Sequence, residues 1–271
     1  LAREGRAPKL LVIENVVGAL TSNGGADFAT LAREIAALRY VFGALTIDAQ
    51  HFLPQSRPRL FIVAVREDVA PPPALIADAP CDLFASPAAR RAYANLPKTL
   101  QARWRWWRLP APPASNLAFA DLIEDAPADV PWHAPAETQR LVSLMSPVNR
   151  AKLDAAKRVG TRQVGAVYRR TRPDANGAKA QRAEARFDGL AGCLRTPGGG
   201  SSRQFILVVE GKRLRSRLLS SREAARLMGL PDDFRLPASY NEAYHLLGDG
   251  LAAPAVRFLS EHLLKPLAKA P

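Results

Sequence analysis

Residues 10 to 17 read Leu-Leu-Val-Ile-Glu-Asn-Val-Val, an apolar run broken only by Glu14 and Asn15. Its shortness and β-branched content predict a buried strand of a parallel sheet. Helical spacing follows, because Phe28, Leu31, Ile35 and Leu38 recur on one face and Asp27, after Gly24-Gly25, is placed to cap a helix through about Arg39. Tyr40 to Ile47 and Arg59 to Val65 read as two further strands. Strand, helix, strand, loop and strand together predict an α/β layer.

The periodicity dissolves between Pro71-Pro72-Pro73 and about Pro135 into proline, alanine and short apolar fragments, which predicts an inserted region. Within it, Arg103-Trp104-Arg105-Trp106-Trp107-Arg108 suits either stacking on nucleobases or the core of a small domain. Residues 138–158 read as one helix, and 161–203 as a basic stretch with Thr196-Pro197-Gly198-Gly199-Gly200-Ser201-Ser202-Arg203. Such a glycine run either lets backbone amides approach an anion or makes a tight loop without a ligand. Regular structure returns with strands expected over 205–209 and 212–218. Ser220 then caps a helix, Glu223 stands at capping-box spacing, and Gly229 and Pro231 end it. With a last helix over about 253–264, both ends of the chain are expected to form one α/β domain around a basic insert.

Composition narrows the class. The 271 residues are 48% apolar, too many for general disorder, while 23 prolines and 17 glycines predict long loops. No run of eighteen apolar residues and no secretory signal are present, so a cytoplasmic protein is expected. Cys81 and Cys193 lie far apart without a Cys-x-x-Cys pair or clustered histidines, which argues against a disulfide framework and a structural zinc site. The net charge of +13 is concentrated: residues 131–217 hold eighteen basic against six acidic side chains, and the flanks are close to neutral. Such a segment suits either a polyanion, through phosphate neutralisation and counterion release, or a solubilising surface.

Glu14 is the first candidate for chemistry, since an ionisable side chain inside a strand needs a partner or a task. Desolvation there would favour its protonated form and suit a general acid, whereas a structural role would bond it to neighbouring backbone. Its company includes the loop Asp48-Ala49-Gln50-His51-Phe52-Leu53-Pro54-Gln55-Ser56-Arg57-Pro58-Arg59, which carries Gln-x-Arg-x-Arg before Leu60-Phe61-Ile62-Val63. Further on stand Arg217-Leu218-Leu219-Ser220-Ser221-Arg222-Glu223 through Gly229-Leu230-Pro231-Asp232-Asp233-Phe234, and then Gly248-Asp249-Gly250-Leu251-Ala252-Ala253-Pro254-Ala255-Val256. With Glu14-Asn15-Val16, these four segments resemble, in order, motifs of the DNA (cytosine-5) methyltransferases.

That resemblance implies a partial Rossmann-like, S-adenosylmethionine-dependent methyltransferase domain of α/β class with an inserted basic target-recognition domain. Its expected boundaries are 1–70 for the second half of the catalytic domain, 71–210 for target recognition and 211–271 for the return to the catalytic domain. The implied reaction adds a cysteine thiolate to cytosine C6 while an acid protonates N3, after which C5 takes the methyl group. Glu14 would be the acid, and Arg57 and Arg59 would hold the base's O2 and nearby phosphate. Asp249, Gly250 and Leu251 fall on the cofactor-binding motif, with Asp249 standing where the family usually has asparagine. Arg195, Thr196 and Arg203 are candidate contacts to double-stranded DNA, whose target base would be flipped from the stack.

The family's Gly-rich cofactor loop and Pro-Cys-Gln nucleophile loop precede its Glu-Asn-Val strand and have no counterpart in this sequence. Pro80-Cys81-Asp82 falls after the arginine loop and lacks the glutamine, and Cys193 reads as a small core residue. The expectation is therefore a chain inactive alone, with an incomplete cofactor site, that works with an amino-terminal segment or partner chain carrying the nucleophile. A non-catalytic DNA-binding or regulatory relic is the alternative.

Overall fold

The computed structural model describes residues 5–173, 176–196 and 203–271. They pack as two compact units, one made of residues 1–48, 58–113 and 255–271 and the other of 49–57 and 114–254.

The first unit is built on β1 (Leu10–Asn15), α1 (Ala26–Ala37), β2 (Tyr40–Asp48) and β3 (Pro58–Arg66). β3 lies between the other two and pairs antiparallel with both, placing Glu14 opposite Phe61 and Ile47 opposite Arg59. β1 and β2 therefore run parallel without touching, as expected of a strand-helix-strand crossover whose centre has been taken by a later strand. The expected burial of β1 is not found: its residues are half-buried or exposed, Val12 being 42% exposed, because its outer edge has no strand partner among the described residues. Alternation sends Leu60, Ile62 and Ala64 of β3 into the core beneath α1, where they meet Phe28, Ala32 and Ile35. Asp27 is not the cap; Gly25 takes that place at φ 96°, and Asp27 lies in the first turn, near the positive end of the helix dipole. Hydrogen bonds from Ser22 and then Asn23 hold its carboxyl below the usual carboxylate range.

The chain continues through β4 (Ile76–Ala77), α2 (Pro87–Asn95), α3 (Lys98–Gln101) and β5 (Trp106–Trp107). The tryptophan cluster is core, not a stacking platform. Trp104 is buried and meets Phe42 edge-on at 5.6 Å and Trp106 at 5.2 Å, while Trp107 donates its indole N–H to the Val63 carbonyl at 3.2 Å. Residues 71–113 thus pack with the first unit, so packing does not divide the chain at the expected residues 70 and 210.

The second unit contains α4 (Pro135–Ser143), α5 (Pro147–Arg158), β6 (Gln163–Pro173), β7 (Lys179–Arg186), β8 (Phe205–Glu210), β9 (Arg213–Leu218), α6 (Ser221–Leu227) and α7 (Tyr240–Asp249). The single helix expected over 138–158 is two, because Pro147 has no amide hydrogen to continue the ladder and holds Ser146 extended. The strands form an antiparallel sheet in the order β7-β6-β8-β9. One face packs Val167, Leu207 and Val209 on Leu141 and Leu153, and the other packs Ala166, Ile206 and Val208 on Leu227 and Tyr244. Finally come α8 (Ala253–Leu259), a π-turn over Ser260–Leu264 and α9 (Lys265–Lys269). The turn precedes Pro266, which has no N–H for a carbonyl one turn back.

The capping box at α6 is present and holds more than a helix end. Ser220 accepts from the Glu223 amide at 3.1 Å, and Glu223 accepts from the Ser220 amide at 2.8 Å. The Glu223 carboxylate is also paired with Arg217 at 2.6 and 2.8 Å, both side chains being fully buried, and it accepts the Glu124 amide at 2.7 Å. Arg217 and Arg215 lie over the Trp132 ring at 4.9 and 4.5 Å. Glu223→Gln should leave an uncompensated guanidinium in this interior and lower stability by about 3–5 kcal/mol. Urea denaturation checks this; a loss below about 1 kcal/mol would show the pair to be dispensable.

Candidate active site

The Gln-x-Arg-x-Arg loop sends its three side chains to two places. In the first unit Arg59, at the start of β3, pairs through Nε with Glu14 Oε1 at 3.0 Å. Glu14 stands opposite Phe61, so both charged groups lie on the sheet face away from α1. Neither has the apolar enclosure expected for Glu14, whose side chain is 30% exposed against 16% for Arg59. Beside Glu14, Asn15 turns to the other face, and its Oδ1 accepts the Val16 amide at 2.8 Å. On that side Asn15, Val16, Ser22, Asp27, Phe28 and Leu60 help to line a pocket of about 460 Å³.

In the second unit, Gln55 and Arg57 are buried. Gln55 donates to the Leu227 carbonyl at 2.6 Å and accepts the Leu194 amide at 3.1 Å. Arg57 donates to the carbonyls of Leu194 at 2.7 Å, Gly248 at 2.8 Å and Gly250 at 2.6 Å, and to Cys193 Sγ at 3.3 Å. This interior placement differs from the base contact expected for Arg57: its planar fork is spent on protein acceptors. Those acceptors include the C-terminal end of α7, where unpaired carbonyls and the helix dipole favour a cation. Of the three motif side chains, Arg59 alone stands beside Glu14.

Arg57 also fixes what surrounds Asp249. Gly248 lies so close to the Arg195–Thr196 backbone that a Cβ would fall 2.7 Å from the Thr196 nitrogen. The Thr196 hydroxyl is then hydrogen-bonded to the Asp249 carboxylate, which is exposed. Thus one residue expected on the cofactor and one expected on DNA meet directly. Arg195 is exposed next to them. Arg203 is bonded to Asn241 and lies 5.4 Å from the centre of the Tyr240 ring. The intervening glycine loop, 197–202, lies outside the described residues.

Sequence reasoning missed α7 and the buried polar cluster packed against it. Tyr168 donates to the Cys193 carbonyl at 2.9 Å and is bonded to Gln204, whose amide donates to Tyr244 Oη at 3.0 Å. Burial raises the Tyr168 phenol well above its ordinary range and that of Tyr244 to about 12, so both remain protonated. Tyr240, Tyr244 and Leu247 at helical spacing were the available signal for α7. Among the described residues no cluster of His, Cys, Asp and Glu can hold a metal ion, and no helix is long and apolar enough to cross a membrane.

Residues 3–265 match the family model described as C-5 cytosine-specific DNA methylase. The chain belongs to that family. Over 63 residues it is 36% identical to the Type II methyltransferase M1.ScrFI of Lactococcus lactis subsp. cremoris, a match covering 23% of this chain and 16% of that relative. It is 45% identical over 56 residues to the Type II methyltransferase M.AgeI of Thalassovita gelatinovora, covering 20% and 13%. The solved Dnmt2 methyltransferase of S. pombe superposes over 97% of this chain and 68% of its own, with a TM-score of 0.50 and 14% identity. The Entamoeba histolytica methyltransferase EhMeth gives 0.53 at 12% identity, covering 96% and 63%. At these identities the likeness is one of fold, and this family member spans about two thirds of each solved chain.

In this methylase-family chain, Arg57→Lys keeps the charge but loses the fork that serves three carbonyls. The expected loss of stability is about 2–4 kcal/mol. A thermal or urea midpoint equal to the parent's would show that the ammonium replaces it fully.

Proposed function

We propose that this chain supplies the base-holding and DNA-reading part of a DNA cytosine-5 methyltransferase. The observation that carries the reading is the Glu14–Arg59 pair, 3.0 Å apart, which joins the Glu-Asn-Val strand to the arginine strand. In this reading Glu14 holds and delivers a proton at N3 of a flipped cytosine, while Arg59 orients that carboxyl and donates toward O2. Arg57 acts one step back, as a positioning residue that fixes the loop from within the second unit.

S-adenosylmethionine is the methyl donor that the family implies, and when bound it supplies the methyl group from its sulfonium. The chain's residues fit one edge of that molecule. Asp249 offers an exposed carboxylate to an ammonium group, and Leu251, half-buried, offers apolar surface. The Gly250 carbonyl is engaged by Arg57, so its part is to hold the turn. Neither cysteine is assigned as the thiolate: Cys81 lies in the exposed stretch before α2, and the Cys193 sulfur is engaged by Arg57 and the Leu194 carbonyl. An amino-terminal segment or partner chain would bring the nucleophile. The outer edge of β1, which has no strand partner among the described residues, with exposed Val12 on it and exposed Val16 just beyond, supports a place for it.

Methyl transfer from tritiated S-adenosylmethionine tests the proposal, with the chain assayed alone and mixed with a complementing amino-terminal chain. Transfer is expected from the mixture only. In that mixture Glu14→Gln should lower turnover by about two orders of magnitude or more with little change in DNA affinity. Near-normal turnover by Glu14→Gln would make the carboxylate structural, and transfer by the chain alone would overturn the division of labour.

A further inference from the structure

Thr196 and Asp249 meet across a clamp made by one side chain. The Arg57 guanidinium donates to the Leu194 carbonyl and to those of Gly248 and Gly250, which holds the two stretches of chain against each other. Nothing separates them at Gly248, where an added Cβ would fall 2.9 Å from the Arg195 carbonyl carbon and 3.1 Å from Thr196 Oγ1. Across this contact the Thr196 hydroxyl donates to Asp249 Oδ1.

That bond decides what Thr196 can do. A hydroxyl carries a single donor hydrogen and a DNA phosphate offers only acceptors, so a Thr196 that donates to Asp249 has nothing left to donate to the backbone of a duplex. The carboxylate beside it also repels a phosphate. Asp249, by contrast, has an acceptor to offer: the side chain is exposed, and Oδ2 is bonded to no protein group among the described residues. An exposed carboxylate held by nothing turns among its rotamers; with Oδ1 fixed by Thr196, Oδ2 keeps one direction.

We infer that Thr196 is a positioning residue for the cofactor and not a contact to DNA: its hydroxyl aims the Asp249 carboxylate so that Oδ2 accepts the ammonium group of S-adenosylmethionine. This role rests on the reading of Asp249 proposed above and adds to it the residue that sets the direction of the carboxylate. A charge-assisted hydrogen bond to a held acceptor is stronger than one to an acceptor that must first be ordered. The arrangement also separates aspartate from the asparagine usual at this place. Asparagine Oδ1 would still accept from Thr196, but its amide would then turn N–H donors toward an ammonium that has only donors itself.

Ligand titration of the full chain by NMR, carried into the millimolar range, tests this with two probes. S-adenosylhomocysteine keeps the ammonium group, and 5′-methylthioadenosine lacks the amino-acid portion. The parent should hold S-adenosylhomocysteine more tightly. Thr196→Val keeps the branched shape without the hydroxyl; it should weaken S-adenosylhomocysteine about fivefold to tenfold and leave 5′-methylthioadenosine and duplex DNA within about twofold of the parent. Thr196→Ser should restore the preference, and Asp249→Asn should abolish it. If Asp249→Asn abolishes the preference while Thr196→Val keeps it, or if Thr196→Ser fails to restore it, the positioning role is overturned and the cofactor reading stands. Equal losses for both probes in Thr196→Val would mark a loosened turn, and a larger loss for DNA than for S-adenosylhomocysteine would return Thr196 to the DNA surface; either overturns the inference. No preference in the parent, its survival in Asp249→Asn, or no binding of either probe overturns the reading of Asp249 and the inference together.

Discussion

Burying a guanidinium is the constraint from which the arrangement of the second unit follows. Arg57 is 2% exposed, and its guanidinium donates to three carbonyls and a sulfur. An arginine cannot shed its proton to escape such a site, so each acceptor must stay in place. Two of them, Gly248 and Gly250, belong to the end of α7, and a third is Leu194. One side chain therefore fixes the distance between the 193–196 segment and the 248–250 turn. The bond between Thr196 and Asp249 is a consequence of that fixed distance.

The same demand makes net charge an imperfect guide to surface. Residues 131–217 carry an excess of twelve positive charges, yet Arg217 within them is fully buried and paired with Glu223, a residue outside the segment. Its pairing binds β9 and α6 to the Glu124 backbone, so this cation holds the fold together and is closed to phosphate. Arg217 points to a face covered by α6 and Trp132, whereas Arg170 and Arg182, both half-buried, lie on the part of β6 and β7 that continues past the β8 pairing.

Local pattern carried much of the fold into view. The three strands of the first unit, α1, β8, β9 and the Ser220–Glu223 box were legible because periodicity and capping are properties of adjacent residues. Pairing was not: β1 looks like a parallel strand because its apolar run says nothing of which strand will sit beside it, and β3 intervenes. The 103–108 cluster admitted two meanings, and only the aromatic neighbours Phe42 and Tyr93, distant in sequence, select the core. In the site, Glu14 and Arg59 were legible as candidates, and the structure brings the two side chains into contact. The direction taken by Arg57 was not legible, since alternate residues of an extended loop look alike in sequence while Gln55 and Arg57 turn inward and Arg59 does not.

Asp249 illustrates how these layers interact. A carboxylate at the last residue of a helix sits against the negative end of the dipole, which costs about 0.3–1 kcal/mol at an exposed site. Asparagine in that place carries no such penalty, so the aspartate needs compensation. Two neighbours provide it: the Thr196 hydroxyl bonds the carboxylate, and the Arg57 cation lies on the carbonyls of Gly248 and Gly250 on either side of Asp249. The guanidinium thus cancels at the helix terminus the charge that the side chain adds there. An acidic group can then be presented at the surface of this turn without loosening it, which is what recognition of an ammonium group would require.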